Sequence, residues 1–490
     1  SIRRQRQMCI RDRNISEGTN IILPLLLSLT LIINFACVKK TGYTQIDRTI
    51  LRLALPAIAS NITVPLLGLC DTAITGHLGS GIFLAAVAAG GTIFNVILWL
   101  CGFLRMGTTG LTAEAYGSRN PERCKTVFWR AVSMAFLLGI VIVVVRNPLL
   151  QLFLGIIDPS AEATDAASMY FRICVWGIPP LLVTLSINGW FIGMQDTVRP
   201  MAISVAMNIL NISASIIAVY VFNAGFAGVA FGTLAANWTG LFLAIGIVAS
   251  YSRKVPLTPD FRQIIKGGGF GKFFRVSSDL FLRSACIMGV SLSVTAIGAR
   301  MGDMTMAVNT VMLQFFLFFS YFMDGFSFAG EALIGKNAGA LDFNSLRHVG
   351  RRLLHWSAFM AMAFLIVYTF GSSLITDMIT DVENVREGVW SMRFFIWLLP
   401  PVAVWAFIYD GFFIGLTATR RMFLTTLTAI ISFATVLTIG MHDRSFGNYP
   451  AYGNIILWSA FLTFLGVRGI GLAIQFPGII RKMEKNKKIH

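Results

Sequence analysis

Apolar residues come in long unbroken runs along almost the whole chain, separated by short polar and charged connections. A helix needs roughly 20 such residues to cross a hydrocarbon core of about 30 Å. The pattern predicts twelve of these helices, near 50–77, 82–105, 127–145, 168–194, 201–222, 226–250, 273–299, 304–331, 351–370, 391–417, 422–440 and 452–479. A membrane β-barrel would alternate apolar and polar positions in pieces of about 10 residues, and these runs do not alternate. Helices also keep their backbone hydrogen bonds within one segment, as lipid demands. The expected fold is therefore an all-α polytopic membrane protein. Residues 1–44 stand outside this scheme, with a basic stretch from Arg3 to Arg13 before an apolar run from Ile21 to Val38. They read as an extra anchor or signal-like segment, or as an N-terminal extension that is not native.

Composition agrees with lipid as the solvent: 490 residues, 56% hydrophobic and only 13% charged, hold more apolar surface than a water-soluble core can hide. The formal net charge of +17 would suit a nucleic-acid binder, but its distribution points elsewhere. Of 40 Lys and Arg, 26 fall in alternate connections and the flanking tails, and only Arg146, Arg172, Arg300, Arg386, Arg393 and Arg444 lie on the other side. Cytoplasmic loops carry such an excess, so both termini are expected in the cytoplasm and no nucleic-acid partner is implied.

The chain repeats itself. FRICVWGIPPLLVTLSINGWFIG, from Phe171, returns as RFFIWLLPPVAVWAFIYDGFFIG, from Arg393. Pro179 and Pro180 map onto Pro400 and Pro401 at a spacing of 221, and Gly193 maps onto Gly415 at 222. Upstream, Gly107 and Gly117 align with Gly325 and Gly335 at 218. The expected organisation is an N-terminal six-helix lobe over 45–250, a basic linker over 251–272, a C-terminal six-helix lobe over 273–480 and a basic tail over 481–490. Each unit has an even number of helices, so the lobes are related by an axis along the membrane normal, with a substrate path between them.

Charges inside a bilayer helix cost at least about 2.5–3.5 kcal/mol near its centre, so each needs a reason. Asp71, in GLCDTAITG on the first helix, has no Lys or Arg within two turns. Low dielectric favours the neutral acid, which makes such a carboxylate able to exchange a proton; a packing role is the alternative. Pro56 and Pro65 on the same helix each remove a backbone hydrogen bond and allow it to bend. On the fifth helix, Ser204, Asn208, Asn211 and Ser215 form a polar stripe that could reach Asp71 or simply bridge helices. In the second half, Asp279 and Arg283 have the spacing of an intrahelical ion pair. Asp324 and Glu331 share a helix face, Glu114 is placed in the solvated interface, and Asp410 replaces Asn188 of the first repeat. Arg468 is a candidate partner for one of these acids.

No Walker motif, clustered His/Glu metal pattern or CxxC pair is present, so neither ATP hydrolysis, metal catalysis nor a cofactor has a visible home. Several segments resemble the multidrug and toxin extrusion (MATE) family, in particular its DNA-damage-inducible F branch. They are LALPAIASNITVPLLGLCDTAITGHLG at 53–79, FLRMGTTGLTAEAYG at 103–117, SSDLFLRS at 277–284, MDGFSFAGEALIGKNAGA at 323–340 and YDGFFIG at 409–415. The resemblance implies two six-helix lobes and a bacterial inner-membrane antiporter, not an enzyme, that exports small organic, often cationic, compounds against H⁺ or Na⁺. It puts Asp71 on the family's helix-1 acid and Pro56 on the proline linked to bending. A second acid in an NxxNxxxD pattern is replaced here by Ser215, in NILNISAS. Asp410 matches an acid used for cation binding in another branch. The expected protein is a monomer in the bilayer, with Asp71, Asn208, Asn211 and Ser215 as the ion-coupling group and Asp279, Arg283, Asp324 and Asp410 as a C-lobe polar network. Alternatives are a flippase for lipid-linked precursors or a channel.

Overall fold

The computed structural model describes residues 45–76, 81–157, 161–252, 270–441 and 450–489. The extension over 1–44 and most of the linker expected over 251–272 lie outside the described residues. Among the described residues, twelve helices are long and apolar enough to cross a membrane. They are α1 (Gln45–Gly76), α2 (Ala89–Gly117), α3 (Pro121–Val144), α4 (Glu162–Gly193), α5 (Val198–Val221), α6 (Gly225–Ser252), α7 (Phe270–Arg300), α8 (Asp303–Gly339), α9 (Phe343–Ile379), α10 (Arg393–Gly415), α11 (Thr419–Gly440) and α12 (Tyr452–Lys487). No strand occurs among the described residues. Short helices, Arg146–Ile157 and Glu383–Ser391, join spans on the side away from the basic connections.

Several helices overrun the sequence-based bounds on the basic side. The second was expected to stop at 105 and the eighth at 331, yet they run to Gly117 and Gly339. The third and ninth begin at Pro121 and Phe343 rather than 127 and 351. Hydropathy stops where hydrocarbon stops, whereas backbone hydrogen bonding continues into the headgroup layer. The turns between these helices are capped by side chains: Asn120 accepts from the Arg123 N–H at 2.9 Å, and Asp342 from the Ser345 N–H at 3.0 Å.

Those caps correct the repeat register. Asn120 and Asp342 are 222 apart (342 − 120), as are the left-handed residues Arg119 and Leu341, and Gln195 and Thr417. The α2 and α8 ends obey the same spacing: a Cβ on Gly117 would collide with the Lys336 carbonyl, and one on Gly339 with the Glu114 carbonyl. The true partner of Gly117 is Gly339, not Gly335. Small residues recurring four apart, as at Gly335 and Gly339, make a helix resemble itself after one turn, and the alignment at 218 slipped by that turn.

The lobes therefore meet on the basic side backbone to backbone. Within each lobe the approach is as close: a Cβ on Gly193 of α4 would lie 2.8 Å from the Thr109 carbonyl oxygen of α2, and one on Gly415 of α10 would lie 2.7 Å from that of Glu331 of α8. Gly110 faces the Ile414 carbonyl, and Gly325 faces Ala54 and Ile58 of α1. With no hydrophobic drive between helices in lipid, such close approach is a main source of association. Gly339→Val should overpack this crossing and lower stability by about 1–3 kcal/mol, read by thermal unfolding in detergent. Gly371→Val on α9, where no atom lies within 4 Å of the added Cβ, should change it little.

Candidate functional site

Helix α1 stays helical through both prolines. Pro56 cannot donate to the Arg52 carbonyl one turn earlier, and the Thr197 hydroxyl donates to that oxygen instead at 3.4 Å. Asn208 of α5 donates to the Thr63 hydroxyl at 2.7 Å, beside Pro65. Six residues beyond Pro65 comes Asp71, half-buried, with Oδ1 shut off from solvent and without a hydrogen-bond partner. Tyr170 and Cys174 of α4 lie within electrostatic reach of it.

The polar stripe on α5 does not bond Asp71. Ser215 donates to Asn211 Oδ1 at 3.3 Å, and Asn211 donates to Thr233 of α6 at 3.3 Å. Asn208 is taken by Thr63, and Ser204 is half-buried elsewhere on the face. Two of the four groups thus serve the α5–α6 contact, where Gly232 packs on the Ser215 backbone. Immediately after Ser215, the last turn of α5 widens into a π-helix over Ile217–Val221, a distortion frequent at functional sites.

In the second lobe the structure redraws the expected ion pairs. Arg283 of α7 and Arg468 of α12 both donate to Asp410 Oδ2 on α10, and all three side chains are buried. The intrahelical Asp279–Arg283 pair does not form. Asp279 lies a turn nearer the basic side, where it accepts from the Thr419 hydroxyl at 3.1 Å and sits 3.6 Å from Arg420. Arg283, deeper in the helix, needs a carboxylate at its own depth, and Asp410 supplies it.

Asp324 of α8 is half-buried and takes no hydrogen bond or ion pair among the described residues, within the field of Arg105, Arg283, Glu331 and Asp410. Seven residues along the same face, Glu331 is bound by Arg105 of α2 at 3.0 and 3.4 Å, and the Arg105 guanidinium lies 3.9 Å from the Phe328 ring centre. Three cations and three acids therefore balance in this core, with Asp324 the acid left over after pairing. Of the Phe and Met residues on α8, Met312, Phe315, Phe319 and Met323 are buried in packing against α9 and its neighbours.

Two further charged contacts between the lobes escaped the sequence reading. Asp47 at the start of α1 is fully buried, accepting from Arg352 and, at 3.0 Å, from Trp356 of α9. Glu114, expected in solvent, instead bonds Lys272 of α7 at 2.7 Å, Arg123 at 2.9 Å and Thr417 at 3.4 Å. Both acids stand at helix ends among basic residues, where sequence alone does not distinguish a solvated charge from a clasp.

The MatE family model matches residues 56–217 and again residues 280–439. The chain is similar to DNA damage-inducible protein F of Escherichia coli K12, with 34% identity over 433 residues, 88% of this chain and 92% of that protein. It is 23% identical over 409 residues to the probable multidrug resistance protein NorM of Acinetobacter baylyi, covering 80% of this chain and 88% of that one. Among solved structures, a MATE transporter in a bent conformation superimposes with a TM-score of 0.79 at 18% identity, covering 90% and 97%. The straight conformation gives 0.77 at 20%, covering 91% and 100%.

Removing one member of a buried charge cluster leaves its partners uncompensated. Asp410→Asn strands two buried guanidiniums and should cost about 3–5 kcal/mol of stability in chemical unfolding. A change under 1 kcal/mol would mean that the triad is not closed in the membrane.

Proposed function

Since the chain belongs to the multidrug and toxin extrusion family of efflux transporters, we propose that it exports organic, often cationic, amphipathic compounds in exchange for a coupling cation, H⁺ in preference to Na⁺. The observation that carries this reading is Asp71, a carboxylate with a shielded, unpartnered oxygen on a helix containing two prolines. One acid is enough to carry a proton, whereas a hard metal cation wants several oxygen ligands together. On this reading both termini face the cytoplasm of a bacterial inner membrane, and one copy of the chain is the working unit.

The cycle follows from the contacts. The basic side is shut by the Gly117–Gly339 crossing and by the Arg105, Glu114 and Asp47 clasps, and on this reading the path between the lobes opens to the other side. A proton arriving there neutralises Asp71, the α1 segment beyond Pro65 bends, and affinity for the bound compound falls. The compound leaves as the proton enters. Coupling arises because proton and compound prefer different states. One charge moved through 100 mV contributes about 2.3 kcal/mol, and a pH gradient adds to it.

In proteoliposomes, Asp71→Asn should abolish fluorescent-cation transport driven by ΔpH while leaving compound binding measurable. Full ΔpH-driven transport by this variant would sink the proposed coupling, and transport driven by ΔNa⁺ alone would reassign the ion. Glu331→Gln should loosen the basic-side closure. Spin labels at the exposed positions Ser118 and Leu341 should then show a longer-distance population, and an unchanged distribution would remove Arg105–Glu331 from the gate.

A further inference from the structure

A cavity of about 580 Å³ opens at the basic end of the second lobe, between the start of α7, the α10–α11 turn and the last turns of α12. Lys272, Arg275, Arg420, Arg421 and Lys482 line it against a single acid, Asp279. Lys272 is held by Glu114, and Arg420 leans on Asp279. Among the described residues, Arg275, Arg421 and Lys482 have no acidic partner within ion-pair distance. The first turn of α11, at Thr419–Arg421, adds the positive end of a helix dipole.

The same corner of the first repeat is built differently. At the 222 spacing, Arg421 corresponds to Arg199 and Ala418 to Asp196 (421 − 199; 418 − 196). Arg199 is neutralised by Asp196, whereas the second repeat has lost the acid and kept the arginine. The corresponding cavity of the first repeat is also smaller, about 150 Å³. Lipid acyl chains have somewhere to lie beside the larger one: Met483 lines it on α12, half-buried, and Phe274 beside Arg275 is exposed.

We propose that this cavity binds the phosphodiester headgroup of an anionic phospholipid, with Arg275, Arg421 and Lys482 as its ligands. The three cations stand at the level where helices leave the hydrocarbon, and basic pockets between spans at that level suit acidic headgroups. Arginine adds planar two-point bonding to phosphate oxygens.

The test is native mass spectrometry of the full chain in detergent, titrated with phosphatidylglycerol and, separately, phosphatidylcholine of the same acyl chains. Wild type should retain phosphatidylglycerol in preference. The variant with Arg275→Gln, Arg421→Gln and Lys482→Gln should bind it roughly a hundredfold more weakly, each cation near the surface contributing about fivefold. Ala418→Asp, which restores the first repeat's acid beside Arg421, should weaken binding without removing a ligand. A charge-matched control with Arg119→Gln, Arg481→Gln and Lys485→Gln should bind like wild type. Equal binding of the two lipids by wild type, or unchanged affinity in both Ala418→Asp and the triple variant, would overturn the assignment. If excess inorganic phosphate displaced phosphatidylglycerol completely, the cavity would be a soluble-anion site and the lipid assignment would fall.

Discussion

Everything in this structure hangs on how closely four backbones pass one another at the basic side. Helices α2, α4, α8 and α10 meet where glycines let main chain touch main chain, at Gly117, Gly193, Gly339 and Gly415. Lipid tails are as apolar as leucine, so apolar contact alone would not favour helix over lipid. Shape complementarity of bare backbone does. Because the contacts are reciprocal between repeats, neither lobe can shift there without the other giving way.

Charge is layered over that contact according to depth. Exposed pairs such as Lys125–Glu122 contribute little. Clasps at the membrane boundary, Glu114 with Lys272 and Asp47 with Arg352, join lobe to lobe. Deeper still, Arg283, Arg468 and Asp410 form a closed triad within one lobe, while Arg105 and Glu331 cross between lobes. Among the described residues, Asp324 and Asp71 are the two interior acids left without ion pairs, one in each lobe. The first sits in a mixed field of two arginines and two acids; the second has no cation in contact among the described residues.

Twelve spans and their duplication were legible because lipid enforces run length and because Gly and Pro leave durable marks. The helix ends were not, since a helix that leaves the hydrocarbon among Lys and Arg reads as loop, as at 106–117 and 332–339. The register slipped by one turn for a related reason: small residues four apart fit two alignments equally well, and only the caps at Asn120 and Asp342 choose between them. Asp71 could be singled out from isolation along the chain. The partners of Arg283 and Arg468 could not, because a carboxylate four residues away on the same helix is a plausible mate until the fold shows Asp410 nearer. Asn208 and Asn211 were read as one face, but a face does not say which neighbour each side chain meets, and they reach α1 and α6 respectively.

Thr197 and Thr419 occupy the same place in the two repeats, and each hydroxyl fastens the first helix of its own lobe. One grips a backbone carbonyl freed by proline, an acceptor with no charge to lose. The other grips the Asp279 carboxylate, a side chain that it shares with Arg420. The twin fastenings therefore answer to different movements: the second can be loosened by a side chain swinging away, while the first yields only when the backbone of α1 itself bends.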